Sequence, residues 1–252
     1  MTLRLVTIPI SHYCEKARWA LERAGLAFVE DGHVPLWHWR AAFAVKGTRT
    51  VPILVHEAGA ETDSTDILHY VDARTAPEAR LFPEDPAQRA EVEQWEERFD
   101  RSLGPHSRRW AYFHLLPDRD LALATVAQGA PKAEAVLTRA LFPLYAALLR
   151  RGLNITPQKS MESLTKLHKL FAEVSEVLAD GRPYLCAGRF TAADLTFASL
   201  AAPALLPDHH PGFVVPWERV PAAMRTEVEK LRATPAGQFV LRMYAEERGK
   251  KA

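Results

Sequence analysis

Leu3-Arg4-Leu5-Val6-Thr7-Ile8-Pro9-Ile10-Ser11-His12-Tyr13-Cys14-Glu15-Lys16-Ala17-Arg18-Trp19-Ala20-Leu21-Glu22-Arg23-Ala24-Gly25 is the stretch on which the fold turns. Leu3 to Thr7 reads as a short apolar strand, interrupted by Pro9 before a helix from about Tyr13 to Ala24 that Gly25 stops. Working outward, Phe28 to His33 is a second strand and Trp37 to Val45 is weakly helical. A strand at Val51 to His56, a turn at Gly59, a short strand at Glu61 to Thr62 and a helix starting near Asp63 or Ser64 follow. The predicted order is βαβαββα over residues 1–75.

The character then changes. Pro77, Pro83 and Pro86 stand among charged residues, which suits an exposed linker over 76–87. From there the chain reads as helix and loop. Val92, Trp95, Phe99 and Leu103 recur at spacings of three and four, as a helix packing one stripe into a bundle requires. Further helices are predicted at 118–127, 133–149, 160–178, 192–200 and 221–247. The expected class is α/β followed by all-α, with a helical bundle over 88–252.

Composition narrows the functions. The 252 residues are 48% apolar and 25% charged, an ordinary globular balance. Thirty-two Lys and Arg against 31 Asp and Glu leave +1, with no basic run, so nucleic acid is not an expected partner. The longest apolar stretches, 137–149 and 195–206, are too short or too interrupted to span a bilayer, and no membrane is expected. The opening MTLRLVTIPI lacks the features of a secretory leader, so the cytoplasm is the expected location. Cys14 and Cys186 lie 172 positions apart and read as free thiols. His209-His210 sits in a proline-rich loop, and the ten histidines offer no metal-ligand spacing; no metal is expected.

Three places carry candidate chemistry. Ser11 through Cys14 lies where a strand hands over to a helix, so unpaired N–H groups and the positive end of the helix dipole favour an anion there. Thr50-Val51-Pro52-Ile53-Leu54 places a proline at the start of an apolar strand, either as an edge strand or as a special turn. Asp63-Ser64 opens a helix eleven positions after Pro52, where a capping pair belongs. A fourth pattern, Phe190-Thr191-Ala192-Ala193-Asp194-Leu195, reads as a capping box with a hydrophobic staple, a folding device.

Together these segments resemble the glutathione transferase family of the thioredoxin-like superfamily. The matching parts are Ser11-x-x-Cys14-x-x-x-Arg18, Val51-Pro52, Asp63-Ser64, the run from Leu81-Phe82-Pro83 to Trp95, and the 190–195 box, in family order across residues 3 to about 200. The resemblance implies a thioredoxin-like glutathione-binding domain at 1–75, a helical domain at 88–252, a homodimer, and glutathione as cosubstrate. It implies that Pro52 is cis, that the Val51 backbone meets the cysteinyl part of glutathione, and that Asp63 and Ser64 hold the γ-glutamyl group. Asp63 stands where the family more often has Glu, which shortens its reach to the ammonium. Segments 112–160 and 203–217 match poorly and look longer than the family's.

The implied reaction is conjugation of the glutathione thiolate to a small apolar electrophile. A thiol of pKa near 8.5 is only about 3% ionised at pH 7, so a donor to the anion raises the nucleophile directly. Ser11 is the leading donor, though an N-cap role explains the same serine. Cys14 is either a buried small hydrophobe or the thiol of a glutathione-dependent disulfide reductase. A third reading is a transferase-like interaction module without turnover. His12, where the family often has proline, reads as a solvent-facing substitution, and Cys186 as core. Arg108, Arg109, Trp110, Tyr112 and Phe113 read either as core or as the wall of an apolar pocket beside the thiol site.

Overall fold

The computed structural model describes residues 2–46, 49–212 and 215–250, apart from the Lys46 side chain. Its first part is a sheet with flanking helices: β1 (Leu3–Thr7), α1 (His12–Arg23), β2 (Phe28–Gly32), α2 (His38–Lys46), β3 (Ile53–His56), β4 (Gly59–Glu61) and α3 (Ser64–Asp72). The strand order is β2-β1-β3-β4, with β1 parallel to β2 and antiparallel to β3, and β3 antiparallel to β4. Leu5, Val6, Ile53 and Leu54 are fully buried in the middle of this sheet. The βαβαββα order is the predicted one. The hairpin turn sits at 57–58, so β4 comes two residues earlier than the sequence suggested. Gly59, with φ of +148°, pairs with His56 across that turn.

The rest is helical: α4 (Pro86–Ser102), α5 (Gly104–Leu115), α6 (Arg119–Val126), α7 (Lys132–Ala140), α8 (Phe142–Gly152), α9 (Pro157–Val177), α10 (Ala192–Leu205), α11 (Ala222–Arg232) and α12 (Pro235–Arg242), then a π-helical turn at Met243–Glu247. This is the thioredoxin-like sheet plus helical region that the sequence pointed to. Two long helices predicted from periodicity are each divided. Pro143 lacks the N–H that a continuous 133–149 helix needs, and it falls instead in the first turn of α8. Thr234 caps a new helix through the Gly237 N–H, with Pro235 in its first turn, so 221–247 becomes α11, α12 and the π turn.

Every residue of α10 is buried, as its sequence, apolar on all sides, demands. It packs against α1, α4 and α5, and its Phe197 ring meets Phe99 at 4.9 Å and Phe171 at 5.6 Å. The Thr191 N–H and hydroxyl both donate to one Asp194 oxygen at 2.8 Å, and the Leu185 N–H donates to the other at 2.8 Å. Burial nevertheless pushes the Asp194 carboxyl up to about 6.

The connection between the two parts is less exposed than its prolines and charges suggested. Leu81, Phe82 and Pro83 are buried. Asp72 at the end of α3 accepts the Leu81 N–H at 2.6 Å, and Leu81 C=O accepts the Ala192 N–H at 3.0 Å. The segment thus joins α3 to the start of α10 through the Leu81 backbone, its N–H bonded to the Asp72 carboxylate and its C=O to the Ala192 N–H.

Candidate active site

Two loops and the helices α4 and α5 converge beside the start of α1. A cleft of about 550 Å³ is lined by Thr50, Val51 and Pro52 before β3, by Thr62 to Thr65 at the start of α3, and by Glu97, Asp100, Arg101 and Arg108 from the helices. All four candidate binding residues, Val51, Pro52, Asp63 and Ser64, therefore share one cavity. The Val51–Pro52 peptide is cis. Asp63 caps α3, one carboxylate oxygen accepting the Thr65 N–H at 2.8 Å, and Ser64 is buried at the first position of the helix. Open N–H groups and the dipole at this helix start suit a carboxylate, while Asp63 and Asp100 suit an ammonium.

Ser11 opens the next cavity along. It is the N-cap of α1 in extended conformation, half-buried, and its side chain makes no cap hydrogen bond. Its hydroxyl lies against the Cys14 thiol. With Ile8, Ile10, Arg108, Ala111, Tyr112 and Pro203 it lines a recess of about 70 Å³. Arg108 lines both cavities. With no capping bond, the Ser11 hydroxyl can exchange its contact with the Cys14 thiol for one to a ligand.

Cys14 lines neither cavity. It is fully buried, and burial pushes its thiol up to about 11, against the opposing pull of Arg18 and Ser11. A thiol protonated and shut away from solvent has neither the charge nor the access of a nucleophile. Cys186 is buried as well, with its thiol pushed up to about 12 by burial.

His12 is buried rather than solvent-facing. Its Nε2 donates to the Gly104 carbonyl at 2.9 Å, and burial, helped by Arg108, holds the ring down at about 3, so it stays neutral. The Tyr13 hydroxyl donates to the Asp100 carbonyl at 2.7 Å. That bond removes the other hydroxyl at the helix start from candidacy as a thiolate donor. A Cβ on Gly104 would lie 2.2 Å from the Tyr13 oxygen, so glycine here leaves room for the Tyr13 ring against α5.

Below the cleft the two parts are joined by a buried ionic cluster. Lys16 pairs with Glu96 and, at 3.0 Å, with Asp100, and the Thr65 hydroxyl bonds Glu96 at 2.7 Å. Burial, with Glu96 close by, raises Asp100 to about 6. No sequence signal pairs Lys16 with residues 80 and 84 positions away. Of the aromatic and basic group on α5, Arg108 and Tyr112 do line the recess. Trp110 is core, and Arg109 turns away to the Leu153 carbonyl and Ser163. Among the described residues no three His, Cys, Asp or Glu are grouped to hold a metal, and no helix is long and apolar enough to cross a membrane.

Residues 5–79 match the family described as glutathione S-transferase, N-terminal domain. Glutathione S-transferase U10 of Arabidopsis thaliana is 40% identical over 47 residues, a match spanning 19% of this chain and 20% of that protein. A β-etherase from Sphingobium is 22% identical over 95% of this chain and 98% of its own, with a TM-score of 0.60. A possible glutathione transferase from Rhodopseudomonas palustris is 18% identical, covering 100% and 98%, with a TM-score of 0.61. A theta-class glutathione S-transferase from Xanthomonas axonopodis with glutathione bound is 21% identical, covering 95% and 96%, with a TM-score of 0.53. At these identities the structural likenesses establish the fold.

Proposed function

We propose that this chain, whose residues 5–79 match the glutathione S-transferase N-terminal domain, binds glutathione in the cleft at α3 and activates its thiol at Ser11. The observation that carries this reading is the meeting of Val51, Asp63 and Ser64, from separate loops, in one cavity adjoining the Ser11 recess. In it the start of α3 and Ser64 take the γ-glutamyl carboxylate, Asp63 takes the ammonium, and the Val51 backbone aligns the cysteinyl unit as an added strand. The sulfur then reaches the start of α1, where the Ser11 hydroxyl and the helix N-terminus stabilise the thiolate. The thiolate attacks an electrophilic carbon seated in the recess. Cytoplasmic location and a homodimer remain part of this proposal.

The disulfide-reductase alternative requires an open Cys14, and the burial of that thiol favours the transferase reading. Binding is tested by melting. Millimolar glutathione raises the melting temperature of the wild type by mass action, and Ser64→Ala reduces the shift. A wild-type melting temperature that does not move across that range leaves the interaction-module reading in its place.

A further inference from the structure

Among the described residues, the cleft contains one cation without a hydrogen-bond or ion-pair partner. Asp100 is bound to Lys16 and the Thr65 hydroxyl, Glu97 is paired with Arg101, and Asp63 caps the Thr65 N–H. Half-buried Arg108 makes no hydrogen bond or ion pair among the described residues, yet it lines both the cleft and the recess. Its charge is felt nearby: it helps to depress His12 and favours the ionised forms of Tyr13 and Tyr112. A guanidinium held against apolar walls without a counter-ion is poorly compensated, and its planar fork matches a carboxylate.

The recess, about 70 Å³, favours a small apolar group beside that carboxylate. Its walls of Ile8, Ile10, Ala111, Leu115 and Pro203 suit a short hydrocarbon, with the polar end directed to Arg108.

We infer that the electrophile is a compact carboxylate, a short-chain acid with a leaving group or activated carbon, whose carboxylate is bound by Arg108 while its reactive carbon faces the glutathione sulfur at Ser11. This rests on the proposed function and replaces a purely apolar cosubstrate with an anionic one. With a 2-halo acid the glutathione thiol first releases its proton to water. The sulfur lone pair then forms the C–S bond as the C–Cl bond breaks, and chloride leaves with the bonding pair.

Chloroacetate and chloroacetamide share shape and leaving group and differ in charge, so they serve as the probes. The measurement is kcat/KM for each, divided by its uncatalysed rate with glutathione. Wild type accelerates chloroacetate at least tenfold more than chloroacetamide, Arg108→Gln removes that preference, and Arg108→Lys restores part of it. A wild type without the preference, or equal losses on both probes in Arg108→Gln, overturns the inference. In the second case a weakened glutathione affinity assigns Arg108 to glutathione instead.

A second measurement does not depend on turnover. Butyrate raises the wild-type melting temperature more than butyramide at equal concentration, and Arg108→Gln abolishes the difference. No difference in the wild type also overturns the inference. A glutathione titration of the same sample reports separately on the proposed function, so the two failures are distinguishable.

Discussion

At the scale of single residues, Ser11 and Cys14 lie one helical turn apart and face opposite chemical environments. Ser11 borders the recess with its hydroxyl uncommitted to capping, whereas Cys14 is enclosed behind it with a thiol near 11. Ser11→Ala is therefore expected to slow conjugation at pH 7 by about tenfold to a thousandfold, the range for losing one donor to a developing anion, and to move the rate profile to higher pH. Cys14→Ala is expected to leave that profile in place and to lower stability slightly through a small cavity. Rate against pH for the two variants decides it. Activity lost with Cys14 and kept without Ser11 would reverse the assignment.

At the scale of elements, α10 depends on its first turn. Asp194 accepts from Thr191 and, outside the helix, from the Leu185 N–H, so one carboxylate satisfies donors on two segments where water cannot replace it. Asp194→Ala is expected to cost about 2 to 4 kcal/mol, above an ordinary cap, because buried donors are left unpaired. Denaturant midpoints check the loss, and glutathione affinity of the folded fraction should persist. This box was legible because Thr191 and Asp194 are three residues apart, and the start of α1 and Asp63-Ser64 were legible for the same local reason. Pro143 carried the signal for dividing 133–149, since a first-turn proline marks a new helix as well as it breaks an old one. The Lys16 cluster, the burial of His12 against Gly104 and the uncommitted state of Arg108 were not legible, because each depends on which distant residues meet it.

At the scale of the whole molecule, two buried histidines weaken the fold in acid, an effect opposed by Asp100 and Asp194, whose raised carboxyls take up protons first in the folded state. His12 is held at about 3 and His210 at about 4, chiefly by burial, while both ionise near 6.5 in the unfolded chain. Their depressed folded values mean that the unfolded state takes up protons first, so this stability is complete above pH 6.5 and drains as the pH falls toward 4. Compared with His12→Gln, the wild type is expected to lose about 1.4 kcal/mol per pH unit over that window, read from urea midpoints at several pH values. A gap independent of pH would mean that His12 titrates freely in the fold. The far end of the chain also bears on α1. Buried Glu15 is held below the usual carboxylate range, despite burial, by His210 when that ring is protonated, by Arg248 and by Arg18, and Arg248 bonds both Glu15, at 2.6 Å, and Glu22. Glu15 and Arg248 are 233 residues apart. At about 5 to 20 residues per second, a ribosome that has released α1 needs roughly 10 to 50 s more before that arginine exists. Until then the nascent helix carries a carboxylate missing one of its cations, and the first-made part of the protein is among the last to be finished.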